Sequence, residues 1–150
     1  MTENPKSWTT VRLNDALKAS ELCAGGAATV ELLEGVEPTV HIIMHDYGDL
    51  PIFLTVSGDQ IIVESVLWPM KDINNVPEFN EAVLMTHKYF PLSTISLDKM
   101  ADGTNYYHMF GALSSASFLQ HVVFEIEVLA NNVIQATSAY NGFLKMPIEA

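Results

Sequence analysis

Two β-rich runs stand back to back in the middle of the chain, Pro51–Ser57 (PIFLTVS) and Gln60–Trp68 (QIIVESVLW), with only Gly58-Asp59 between them. A two-residue loop carrying glycine is the connection that closes antiparallel hairpins. Upstream, Thr39–His45 (TVHIIMH) is short and β-branched, which predicts a third strand. The intervening DYGDLP supplies Asp and Gly for a turn and Pro51 to open the next strand. Three strands joined by short turns fold as an antiparallel meander, and the rest of the chain has to pack against it.

Helical patterns flank that meander. A first helix is expected from about Thr10 to Ala24, with Leu13, Ala16, Leu17 and Ser20 on one face and Gly25-Gly26 as its stop. Pro77 marks a helix start, Phe79, Val83, His87 and Phe90 follow at helical spacing, and Pro91 ends the run. Thr94–Leu97 and Asn105–Leu113 form a second hairpin around Ala101-Asp102-Gly103. Ser117 with Gln120 makes a capping-box pattern. Behind it Phe118, Val122, Ile126, Leu129, Val133 and Ala136 draw a long apolar stripe. Ala27–Glu34 suits a short strand or a turn of helix equally well.

The predicted architecture is α+β: about five antiparallel strands with helices on one side, in the order α-β-β-β-α-β-β-α. Residues 1–150 read as a single domain, with 1–7 as a poorly ordered polar tip. The apolar fraction of 49 % supplies a core and excludes disorder of the whole chain.

Charge narrows the partners. There are 18 acidic and 7 basic residues, for a net charge of −11, and Arg12 is the single arginine. Between Lys18 and Lys71 no basic residue occurs, while eight acidic ones do. Phosphate backbones need clustered Lys and Arg, so neither nucleic acid nor an anionic membrane is an expected partner. A basic protein surface is the electrostatic match. The lone Cys23 cannot form an internal disulfide, and no run approaches the ~20 apolar residues of a membrane span. The N-terminal MTENPKSWTT has no apolar run of the signal-peptide kind. A cytoplasmic protein without direct membrane insertion is expected.

No group of residues carries a recognisable catalytic signature. His41 and His45 are four apart, but on a strand that spacing separates them by roughly 13 Å, too far to share a metal. The turn holding His45, Asp46, Tyr47 and Asp49 could be a cation site or an acid/base cluster. The simpler account is that its carboxylates cap turn amides while Tyr47 packs its ring. His121 and Glu125 are one helical turn apart, as in a surface hydrogen bond. His108, among aromatic neighbours, reads as a packed histidine. Nucleophile elbows and phosphate loops are missing, and Cys23 lies at a helix C-terminus, which does not activate a thiol. Neither a cofactor nor a metal is expected. Apolar residues at element ends, namely Tyr47, Trp68, Met70, Tyr89 and Phe90, are the candidate partner-binding set, against the alternative that they close the ends of the core.

The blocks DYGDLPIFLTVSGDQIIVESVLWP, FNEAVLMTHKYFPLS, YYHMFGALS and EIEVLANNVIQAT, in that order, resemble the YjfI-like family, a bacterial family of unknown function. The likeness runs from about Val40 to Thr137. It implies a protein partner of the phage-shock-protein-A kind, since members are often encoded beside such proteins. The element order also resembles the type III secretion chaperone-like fold, whose small acidic dimers hold an extended partner segment. Together these imply a non-enzymatic, homodimeric protein-binding module. The alternative is a small-molecule or metal-binding protein, or an enzyme, built on the His45–Asp49 turn.

Overall fold

The computed structural model describes residues 7–146; the expected polar tip, apart from Ser7, lies outside the described residues. Six strands form one antiparallel sheet: β1 (Ala28–Leu33), β2 (Thr39–Met44), β3 (Leu50–Ser57), β4 (Gln60–Pro69), β5 (Thr94–Lys99) and β6 (Asn105–Ser114). Their spatial order is β1-β2-β3-β4-β6-β5. The expected meander of three strands is β2–β4, closed where Ser57 faces Gln60 across Gly58, whose φ is +59°.

The count is six rather than five because the ambiguous 27–34 segment contains β1. Ala28 and Val30 are buried while Thr29 and Glu31 are exposed, the two-residue period of a half-buried strand. The β5–β6 hairpin inserts with β6 against β4, leaving β5 and β1 as the two edges.

The first helix is also split. α1 (Thr10–Lys18) is capped by the Thr9 hydroxyl, which accepts from the Arg12 N–H. It stops before Ser20, whose extended backbone (φ −78°, ψ 165°) restarts the chain as the single turn α2 (Glu21–Ala24). α3 (Val76–Thr86) carries Pro77 in its first turn and is capped by Asn75, whose side chain accepts from the Glu78 N–H. α4 (Leu119–Ala139) begins without the expected capping box. Phe118 occupies the cap position, and Ser117 instead donates its N–H to the Ser114 carbonyl in a tight turn.

All four helices pack on one face of the sheet. α1 covers β1–β3 through Leu13 and Leu17, and α4 covers β3, β4 and β6 through Val122, Ile126 and Leu129. At the far end Phe79 of α3 stands edge-on to Trp68, Tyr107, Tyr140 and Phe143. Phe79, Tyr107, Tyr140 and Trp68 are buried and Phe143 partly so; each fully buried side chain contributes roughly 1.5–3 kcal/mol, so this aromatic group fixes the α3 end of the fold.

Candidate protein-binding face

Because side chains alternate along a strand, the residues between the core positions point away from the helices. Among the described residues nothing covers that second face. Its central rank crosses the entire sheet in register: Glu31 of β1 faces His41, His41 faces Phe53, Phe53 faces Glu64, Glu64 faces Phe110, and Phe110 faces Thr94 of β5. Ile43 and Ile62 flank the rank half-buried, with Val66 and Leu33 more exposed.

The polar groups on this face fall into histidine–carboxylate pairs. His41 Nδ1 lies 3.6 Å from Glu31 Oε1, and its ring stacks on Phe53 at 5.0 Å. His108 Nδ1 lies 3.0 Å from Asp98 Oδ2 and 3.3 Å from Glu64 Oε1. The His108 side chain is only 8 % exposed, and neither ring nitrogen forms an aligned hydrogen bond, so its contacts with the two acids are electrostatic. At the rim, His45 Nδ1 meets Asp49 Oδ1 at 2.7 Å and His45 Nε2 meets Thr29 Oγ1 at 2.7 Å. Gly48 and Asp49 both have positive φ, 71° and 56°, and that double left-handed step folds Asp49 back onto His45.

No Lys or Arg of the described strands points from this face. Lys99 is the single Lys or Arg in the strands, and it lies on the helix side with Ile95 and Leu97. Arg12 and Lys18 belong to α1, and Lys71, Lys88 and Lys145 to turns. The open face therefore combines a band of apolar side chains with Glu31, Glu64, Asp98 and Asp49 and without any Lys or Arg.

The expected polar turn is thus realised in part. His45 and Asp49 meet, while Asp46 is exposed and joins neither. Thr29 completes a hydroxyl–imidazole–carboxylate chain. It was not foreseen, because the segment containing it had no assigned structure. The expected strand stops one residue short: His41 lies on β2 and His45 opens the 3-10 turn after it, each with its own carboxylate.

The apolar candidates scatter. Trp68 is in the core, 8 % exposed and edge-on to Phe79 and Tyr140, so it is unavailable to a partner. A β-bulge between Val66 and Trp68 is the cause: it shifts the alternation by one and turns Trp68 inward. Tyr47, Met70 and Phe90 are half-buried against the core, Met70 also lining a cavity of about 610 Å³ with Lys71, Val76 and Tyr106. Tyr89 alone is well exposed, at 72 %, with the Lys88 ammonium over its ring. The expected His121–Glu125 hydrogen bond is replaced: His121 packs on Phe118, and Glu125 turns into the core. Burial pushes the Cys23 thiol above its ordinary range, which disfavours reactivity.

Residues 7–144 match a family described as an uncharacterized protein conserved in bacteria (DUF2170). The chain belongs to that family. It is 37 % identical over 98 residues to the uncharacterized protein YjfI of Escherichia coli K12 and of strain O157:H7, covering 65 % of this chain and 73 % of each relative. YbjN from E. coli superposes with a TM-score of 0.60 at 12 % identity, covering 90 % of this chain and 96 % of that one. An uncharacterized protein from Methanothermobacter thermautotrophicus gives 0.60 at 12 %, covering 86 % and 97 %. The α+β architecture read from the sequence is thus a YbjN-like one.

Proposed function

We propose that this DUF2170 protein is a non-enzymatic module that binds a protein partner on the open face of its sheet. The observation that carries this reading is the uncovered rank from Glu31 to Thr94, in which Phe53 and Phe110 stand on either side of Glu64. An apolar band framed by polar groups is how soluble proteins present interaction sites. The family resemblance supplies a candidate partner, a protein of the phage-shock-protein-A kind, and the chaperone-like element order suggests a homodimer as the working assembly. A nucleic-acid role of the sort proposed for YbjN as a transcription regulator fits poorly with a net charge of −11. The test is affinity capture from the native bacterium with three baits: the native chain, Phe53→Asp and Tyr89→Ser. A protein retained by Tyr89→Ser and lost by Phe53→Asp supports the open face; loss in neither variant, or in Tyr89→Ser alone, overturns it.

One observation favours a second reading. Thr29 Oγ1, His45 and Asp49 are linked by two 2.7 Å contacts in the order of a nucleophile, general base and orienting acid. In that reading His45 Nε2 takes the Thr29 proton as Oγ1 attacks the carbonyl of an activated aryl ester. The C–O bond to the phenolate breaks and the phenolate leaves, and water, deprotonated by His45 in turn, releases the acid from Thr29. The relay stands at the exposed rim, where water competes for each of its bonds, which favours the first reading. Hydrolysis of a p-nitrophenyl ester above the rate of the His45→Ala and Thr29→Ala variants would support catalysis; equal rates would remove it.

A further inference from the structure

Resting on the reading of the open face as a partner site, we infer that the segment it takes is a cationic amphipathic α-helix. Three features lead there. The backbone N–H and C=O groups of the inner strands β2, β3, β4 and β6 are committed to the sheet on both sides. A partner lying on the face finds few backbone donors or acceptors, so it has to satisfy its own, which a helix does and an extended strand does not. Strand addition remains open only at the edges, β1 and β5.

The second feature is shape. The rank spans six strands, roughly 24 Å at the usual inter-strand spacing, which is the length of a helix of about 16 residues. Phe53 and Phe110 stand in the rank on either side of Glu64, and Ile43 and Ile62 flank it on opposite sides, so a helix laid along the rank meets apolar side chains interleaved with an acid.

The third is charge. Glu64 stands between Phe53 and Phe110, Glu31, Asp98 and Asp49 lie around them, and histidines are the only basic side chains among them. A second copy of the chain would bring carboxylates against carboxylates in a face-to-face pair. An anionic lipid surface would meet the same repulsion. Lysines or arginines on either side of an apolar stripe meet both halves of the pattern.

The test uses three 16-residue helical peptides, of leucine with lysine, with glutamine and with glutamate, titrated by fluorescence anisotropy. The targets are the native protein, an open-face triple (Glu31→Gln, Glu64→Gln, Asp98→Asn) and a helix-side triple of equal charge change (Asp15→Asn, Glu81→Gln, Glu127→Gln). Phe53→Thr and Ile62→Thr, checked by circular dichroism, report the apolar contact. The expected result is that the lysine peptide alone binds, weakens with salt, and loses roughly tenfold in the open-face triple but little in the helix-side triple. Equal losses in the two triples would show attraction to bulk charge and overturn the inference. Tight binding of the glutamine peptide through Phe53 would overturn the cationic requirement and leave the open face standing. Binding that ignores both Phe53 and Ile62 would overturn the inference and the reading beneath it.

Discussion

Glu125 of α4 stands directly over Gly111 of β6, with its carboxyl group filling the space that a side chain at 111 would need. The carbonyl of Leu92 closes the same space from the other side, 3.2 Å from where a Cβ would sit. Gly111→Ala therefore forces a buried collision and is expected to cost about 2 kcal/mol in urea unfolding. Part of that loss should return in a Glu125→Ala background, because the two changes share one site.

Glu125 itself carries a pH signature. It is 5 % exposed, its Oε2 has no hydrogen-bond partner, and burial pushes its carboxyl above the usual range. The folded chain then holds this proton more tightly than the unfolded chain does. Its effect on stability is absent at low pH and becomes a loss as pH rises from about 4.3, the unfolded carboxyl's range. Glu125→Gln is expected to exceed the native protein by roughly 1 kcal/mol at pH 7. The gap should close at pH 4 when the two are unfolded side by side.

Trp68 is a core residue, and its variants should behave so. Trp68→Ala is expected to lose about 3–5 kcal/mol, while Tyr89→Ala on the exposed turn stays within about 0.5 kcal/mol. Thermal unfolding of the two variants separates them directly.

Asn132 anchors the turn after α3 from within the core. Its Nδ2 donates to the Pro91 carbonyl at 2.8 Å and to Ser93 Oγ at 2.9 Å, on either side of Leu92 with its φ of 69°. Asn132→Leu strands those acceptors and should cost about 2 kcal/mol. Leu92→Gly relieves the left-handed backbone and is expected to be neutral or stabilising by about 0.5 kcal/mol. Matched denaturant midpoints measure both.

What could be read from the chain followed locality. The β3–β4 hairpin and the apolar stripe of α4 each declare themselves within a few turns of sequence. β1 did not, because six residues with two acidic neighbours fit either period. The split at Ser20 depends on one residue's backbone, which a helical stripe does not register. Trp68 was misplaced for a related reason: one bulged residue reverses every alternation after it. The open face needed more still, since Glu31 and Phe110 become members of one rank only through four successive strand registers.

That last fact has a consequence for how the face can be used. Its rank draws one residue from each of six strands, from Glu31 in β1 to Thr94 in β5. No peptide cut from the chain contains it, and no unfolded copy displays it. A partner that reads the rank would therefore also be a reporter of completed folding, engaging the protein only once both ends of the sheet have closed on the middle.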